Sequence, residues 1–161
     1  MGDEALIASI REAIGQGRGE AVGGLTVLPL VTLESETRIA IDDAGRWVVL
    51  PPDRPPIVCG PDNAHVLTEA LEWKRSAFDD ALEASARTFG LPPDDVLLSF
   101  PVFALVGAAL ETGTSYLVRL GLSWLVPTEL RPMRAAIVRV TAATHLPASV
   151  RDLADRLVVP E

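Results

Sequence analysis

Residues 96–126 carry only two charged side chains, in a chain of 161 residues of which 22% are charged. A stretch this apolar must be buried in a protein core or in a membrane. Its longest uncharged run, residues 96–110, has 15 residues. That is fewer than the roughly 20 that a helix needs to cross a bilayer. Pro101 and the polar sequence ETGTS also interrupt the stretch, so we expect a buried helical hairpin, with membrane association through residues 96–126 as the alternative.

The first 60 residues show one helical pattern followed by strand patterns. Apolar residues on one side of a helix predict a helix over residues 3–15, and the glycine-rich GRGEAVGG after it is interpreted as a flexible connector. Three short segments rich in β-branched and aromatic residues then predict an antiparallel meander: LTVLPLVTLE, TRIAIDD and RWVVL. Pro29 removes a backbone donor, which favours an edge strand or a bulge. A short fourth strand is expected at Ile57 to Cys59.

The remaining 100 or so residues have helical patterns. A continuous stripe of apolar residues predicts one long helix over residues 64–89, which Gly90 ends. After the hairpin, the sequence predicts a helix through residues 130–140 and a short last helix near residues 149–157. Because the strands form one block before the helices, the predicted fold class is α+β. It has an N-terminal helix, a small antiparallel sheet of three to four strands and a C-terminal layer of about five helices.

The length predicts a single domain over residues 1–161, with a sheet-containing part of about 1–60 and a helical part of about 61–161. The net charge is −8 and the isoelectric point about 4.7. An acidic surface repels phosphate backbones, so nucleic acid is not an expected partner. The charge is uneven, because residues 1–112 contain 18 acidic and 8 basic residues, whereas residues 113–161 contain 4 and 6. This asymmetry favours a basic partner or a second copy of the chain.

Lys74 is the only lysine among the 14 basic residues, and on a continuous helix it would lie in the apolar stripe. Two interpretations follow: the side chain extends over the core with its ammonium in water, or it is a buried amine that acts as a base. Trp73 beside Lys74 and Arg75 is the candidate interaction site, since tryptophan and arginine are enriched in interface hot spots.

The other candidate residues belong to a hypothetical pocket. Cys59, with His65 six residues later, has the elements of an activated thiol. The alternative is that Cys59 ends a buried strand and His65 lies on the polar side of its helix. The second histidine, His145, is a further pocket candidate. One cysteine and two histidines are too few for a structural zinc site, and each pair of aspartates has a structural explanation. We therefore expect no metal and no cofactor. A single cysteine and acidic residues at the start of the sequence indicate a cytoplasmic protein.

No motif identifies a family. In size, acidity and the order helix, three strands, long helix, the first 90 residues resemble small secretion-chaperone-like proteins that hold a partner polypeptide, without a signature residue. The first hypothesis is a non-enzymatic protein-protein interaction module of the adaptor, inhibitor or chaperone type. It would use an apolar helical surface and an acidic face, and would bind a protein partner or form a homodimer. The alternative is a small-molecule-binding protein or enzyme with a pocket between the sheet and the helices.

Overall fold

The structure is a computed structural model that describes residues 2–161. It is an α+β fold with an N-terminal helix, a five-stranded antiparallel curled sheet and several helices. Contacts divide the chain into two compact units, Met1–Pro101 and Val102–Glu161. The prediction of one domain stays a prediction, and each unit is described separately below.

The first unit contains the sheet, and its strands follow one another in space as they do in the sequence. Helix α1 (Gly2–Gly15) comes first. The antiparallel meander then has the strands β1 (Glu20–Val22), β2 (Leu25–Thr32), β3 (Arg38–Asp42), β4 (Trp47–Leu50) and β5 (Ile57–Val58). The predicted α1, the three central strands and the short strand at residue 57 are confirmed.

The predicted number of strands was too low, because β1 lies within the segment that was interpreted as a flexible connector. Gly23 and Gly24 join β1 to β2 with φ angles of 54° and 81°. Two successive residues with positive φ are typical of a type I′ hairpin turn, whose twist matches that of the strands on either side. The two glycines therefore form a tight turn between paired strands.

The bulge predicted at Pro29 is present. The pairing of β2 with β3 shifts register between Pro29 and Val31. β2 is an internal strand that pairs with both β1 and β3, so the alternative of an edge strand was wrong. The extra residue is Leu30, and the bulge interrupts the ladder directly beside Pro29, which has no N–H group to donate. A bulge also increases the local twist.

One face of the sheet is covered by helices of the same unit. Trp47 packs edge-on against Phe100 with 5.0 Å between ring centroids, and Phe78 lies 5.0 Å from the same ring. The indole Nε1 of Trp47 donates a 3.0 Å hydrogen bond to the carbonyl oxygen of Ser99. The buried side chains on this face include Leu28, Ile39, Ile41 and Val49, whose strand pairings place them beside one another.

The opposite face of the sheet is also apolar and forms a second small core. Its buried members are Val27, Ala40, Val48 and Leu50, with Val22, Leu25 and Val58 packed against them. The sheet curls far enough to bring its two ends together on this side. A Cβ atom added at Gly23 would lie 2.7 Å from the ring of Pro56. Pro56 is the last residue of a proline-rich strap, residues 51–56, which joins β4 to β5.

Asp42 is a fully buried carboxylate, at the end of β3. Its Oδ1 accepts hydrogen bonds from the backbone N–H groups of Ala44 (3.0 Å) and Arg46 (2.8 Å). Its Oδ2 accepts from the guanidinium of Arg46, with Nε at 2.8 Å and NH2 at 2.7 Å. Every strong acceptor position is used, so the carboxylate holds the β3–β4 turn in one conformation.

The predicted long helix over residues 64–89 was wrong in type and continuity. Ala64–Glu72 is a 3₁₀ helix, and α2 covers Arg75–Phe89. Trp73 and Lys74 between them have extended backbone, with ψ of 151° and 136°. In a 3₁₀ helix residues i and i+3 lie directly above each other. The buried Ala64, Leu67 and Ala70 have this spacing, so a three-residue repeat was interpreted as an α-helical stripe.

Gly90 ends α2 as predicted, and the structure shows it in the left-handed conformation. Helix α3 (Pro93–Ser99) completes the first unit. The second unit is helical, and its helices are α4 (Val102–Glu111), α5 (Ser115–Trp124), α6 (Pro127–Leu130), α7 (Arg134–Thr141) and α8 (Ala148–Leu157). The predicted helical hairpin corresponds to α4 and α5. The helix predicted through residues 130–140 is two helices, and in residues 2–161 seven α-helices follow the sheet, more than the predicted five.

Each of the four longer helices of the second unit contacts two of the others, so that the contacts form a ring. α4 contacts α5 and α7, and α8 contacts the same two helices. Gly121 of α5 allows the closest approach: a Cβ added there would lie 3.2 Å from Cβ of Ala109 and 3.4 Å from Cδ2 of Leu110. Gly107 on α4 has open space around its added Cβ. The two glycines therefore differ in what a larger residue would do.

Replacing Asp42 with alanine should destabilise the protein by about 1–3 kcal/mol, because two backbone N–H groups and a guanidinium lose their acceptor. Urea unfolding followed by circular dichroism measures this change. Asp43→Ala, at the exposed neighbouring position, is the control and should change stability by no more than about 0.5 kcal/mol. Equal effects of the two substitutions would show that Asp42 does not hold the turn.

The two helical glycines should respond in opposite directions. Gly121→Val places two methyl groups against α4 and should cost about 1–3 kcal/mol. Gly107→Ala should stabilise the protein by about 0.5–1 kcal/mol, because alanine loses less backbone entropy in a helix. The same unfolding measurement tests both, and a neutral Gly121→Val would contradict the close packing of α4 and α5.

Candidate functional site

Trp73, Lys74 and Arg75 lie at the junction between the 3₁₀ helix and α2. Trp73 is half-buried and its ring is 6.3 Å from that of Phe78. The Arg75 side chain is only 16% exposed, and its Nε donates to both carboxylate oxygens of Asp79 at 3.0 and 3.1 Å. Lys74 is exposed. Two of the three side chains are thus held by intramolecular contacts, and the buried-amine interpretation of Lys74 does not fit its position.

Cys59 directly follows β5, and its environment differs from that of a reactive thiol. Its backbone N–H donates a 2.8 Å hydrogen bond to the carbonyl oxygen of Trp47. Burial raises the pKa of the thiol from its ordinary value of 9.0 to about 11, against a smaller opposing effect of a backbone hydrogen bond with Val49. A nucleophilic cysteine needs the opposite shift, toward the thiolate at neutral pH.

His65 is exposed in the first turn of the 3₁₀ helix, where its carbonyl oxygen accepts a 2.8 Å hydrogen bond from the Thr68 hydroxyl. Within residues 3–161 its imidazole makes no hydrogen bond with Cys59. The described structure therefore does not assemble the proposed pair of thiol and imidazole.

His145 lines a cavity of about 260 Å³ inside the helical unit. Leu110 and Glu111 at the end of α4 form one wall, with Gly113 in the following turn. Ala136, Arg139 and Val140 of α7 form another, and the loop before α8 contributes Ala143, His145 and Leu146. The cavity arises because the end of α4 packs beside α7, and the loop after α7 turns back across the gap.

The turn between α4 and α5 approaches His145 closely. Gly113 has a φ of 74°, and a Cβ added there would lie 3.5 Å from Nε2 of His145. Glycine adopts this left-handed conformation without the steric cost that other residues have. A glycine at this position therefore allows the turn to form beside the imidazole of His145.

The cavity has an apolar floor and a charged rim. Leu110, Val140 and Leu146 are 8%, 3% and 5% exposed, whereas Glu111, Arg139 and His145 are exposed. In the part of the chain that the structure describes, these three polar side chains form no hydrogen bond or ion pair with other residues. They are hydrated groups at the edge of an apolar surface, an arrangement that suits binding of an amphipathic molecule.

Of the cavity residues, the sequence analysis named only His145. Residue 111 begins the sequence ETGTS that was interpreted there as an interruption, and residue 139 lies in the helix predicted through residues 130–140. Residues 111 and 139 come together through the packing of α4 against α7. No local pattern in the sequence carries that information. The glycine within ETGTS was the one available signal of a tight turn.

Among residues 3–161, no group of three or more histidine, cysteine, aspartate or glutamate side chains is arranged to hold a metal ion. One helical stretch in the described residues, Pro93–Glu111, is long and apolar enough to cross a membrane, and 39% of its apolar window is buried in the structure. It is not one continuous helix, since α3 ends at Ser99 and α4 begins at Val102, with Phe100 in extended backbone.

No protein-family model, no curated protein and no solved structure matches the chain.

The Cys59 thiol should react slowly with alkylating reagents. At pH 8 its thiolate fraction is expected to be about 100-fold below that of a thiol with the ordinary pKa. The rate of iodoacetamide reaction, followed by mass spectrometry from pH 7 to 11, tests this against the same protein unfolded in urea. Equal rates in the folded and unfolded protein would contradict the shift.

The raised pKa of the Cys59 thiol predicts that the free energy of unfolding depends on pH. The unfolded chain loses the thiol proton at lower pH than the folded protein, so stability should fall as the pH rises from 9 toward 11. Cys59→Ser removes this contribution and serves as the control in urea unfolding at each pH. A wild-type decrease no larger than that of the serine variant would contradict the assignment.

Proposed function

We propose that this protein is a non-enzymatic protein-protein interaction module, of the adaptor, inhibitor or chaperone type, which self-associates through exposed apolar side chains of its helices. The observation that carries the proposal is where these side chains lie. Of the four large apolar residues that are exposed in the described structure, Leu98 (83%), Phe103 (49%) and Tyr116 (58%) all belong to the apolar stretch 96–126. The fourth, Val138, is 37% exposed.

Single exposed leucines are ordinary on protein surfaces, whereas larger apolar patches mark interaction sites. The proposal takes these exposed side chains as parts of such surfaces. Leu98 is four residues after the exposed Asp94 in α3, so the two lie on the same side of that helix. A large apolar side chain beside a carboxylate fits a partner surface that has an apolar recess and a basic edge.

Charge separation between the two units supports the same role. Met1–Pro101 contains 17 acidic and 8 basic residues, a net of −9, and Val102–Glu161 contains 5 and 6, a net of +1. An acidic unit attracts basic surfaces over about 8–10 Å in physiological salt. Such a field increases the association rate with a basic partner and disfavours acidic ones.

The side chains considered for catalysis support a role without chemistry. Cys59 keeps its proton at neutral pH, and His65 and Lys74 are exposed at separate helix starts. A nucleophile needs a base within hydrogen-bond reach, and the described residues bring none of these three together. The free thiol of Cys59 also agrees with a reducing compartment, and we propose the cytoplasm.

The molar mass in solution tests the proposal. We expect a dimer by light scattering at both low and high salt, since apolar contacts are insensitive to ionic strength. Leu98→Arg and Phe103→Arg should each weaken the dimer at least about tenfold, because each replaces an exposed apolar side chain with a charged one. Val138→Arg, outside the stretch, is the matched control and should leave the mass unchanged. A wild-type protein that stays monomeric at the highest concentration measured would overturn the proposal.

A further inference from the structure

The cavity between α4, α7 and the loop before α8 has features that self-association does not require. Its floor consists of the buried side chains of Leu110, Val140 and Leu146, and its volume is about 260 Å³. Small-molecule pockets commonly have volumes of roughly 300–1,000 Å³. This cavity is therefore suited to one small molecule with an apolar group, and not to a large cofactor.

The rim of the cavity carries one fixed charge of each sign. Glu111 is the last residue of α4 and Arg139 is in the last turn of α7. Neither side chain is paired with the other or with another described residue. Charged side chains that only keep a surface soluble have no reason to lie on either side of one apolar floor. Their position on opposite elements around that floor fits a ligand with two opposite charges.

The end of α4 favours the positive group of such a ligand. The carboxylate of Glu111 lies at a helix C-terminus, where the backbone dipoles place partial negative charge. An ammonium group bound there interacts favourably with both. His145 is the third polar side chain of the rim. Its Nε2 lies beside Gly113 and offers one further hydrogen bond.

The α7 side favours the negative group. The guanidinium of Arg139 presents parallel N–H donors whose spacing matches the two oxygens of a carboxylate. A ligand with an ammonium toward Glu111 and a carboxylate toward Arg139 then directs its third substituent to the apolar floor. An α-amino acid has these three groups on one carbon atom.

We propose that this cavity binds a free α-amino acid with an aliphatic side chain, with its carboxylate on Arg139, its ammonium on Glu111 and its side chain on the apolar floor. The site lies within residues 110–146 of a single chain. The inference therefore goes beyond the proposed self-association and does not depend on it.

Titration with L-leucine, followed by ¹H–¹⁵N correlation spectra of the full chain, tests the inference. We expect saturable shifts of the amides of Gly113 and Ala143 at millimolar ligand. The two single-charge analogues, 4-methylpentanoate and 3-methylbutylamine, should each bind about tenfold more weakly, since each lacks one charge-assisted contact. No saturable shift at these amides with L-leucine would overturn the proposal.

Two variants assign the contacts. Arg139→Gln should lower the affinity for L-leucine about tenfold and leave that for 3-methylbutylamine unchanged. Glu111→Gln should also lower the affinity for L-leucine about tenfold, but should leave that for 4-methylpentanoate unchanged. Arg156→Gln, an exposed arginine of α8 away from the cavity, is the matched control and should bind like wild type. Spectra of the free variants verify their folding. Wild-type affinity in both cavity variants, or 4-methylpentanoate binding as tightly as L-leucine, would overturn the assignment of a zwitterionic ligand.

Discussion

The sheet of the first unit has apolar side chains on both faces, and helices cover only one of them. The uncovered face would expose Val27, Ala40, Val48 and Leu50 if the sheet were flat, yet each of these is at most 3% exposed. Curling resolves this, because it brings the β1–β2 turn against Pro56 and lets the sheet bury its own concave side. The bulge at Pro29 increases the twist that this requires, and the glycine turn at residues 23–24 fits beneath the strap. The proline-rich segment thus closes the concave core.

Local sequence patterns predicted the parts of the fold in which each side chain is plainly either buried or exposed. The central strands, α1 and the bulge at Pro29 follow from alternation, periodicity and a missing N–H group. β1 was missed because three residues between glycines have no measurable pattern, although Gly23 and Gly24 were themselves a hairpin signal. Residues 64–72 were assigned to the wrong helix type because residues three apart lie on the same side of both an α-helix and a 3₁₀ helix, so the spacing of the buried residues does not separate the two.

The candidate site was less predictable than the fold. His145 was recognised by its residue type alone, whereas Glu111 and Arg139 meet only through helix packing. The candidate cluster at Trp73 illustrates the reverse problem, since residues adjacent in sequence have different environments: Arg75 is held by Asp79, and Lys74 faces solvent. Residue type can nominate a side chain for chemistry, but its partners come from tertiary contacts that have no local signature.

The extended backbone at Trp73 and Lys74 has a practical consequence. Lys74 is the only lysine of the chain, and the break between the 3₁₀ helix and α2 leaves its ammonium exposed. The half-buried Cys59 reacts poorly near neutral pH, so an amine reagent used there does not also modify the thiol. An amine-reactive fluorophore therefore has one side-chain target besides the α-amino group of the chain, and a label on Lys74 is an optical reporter on the acidic unit without any engineered residue.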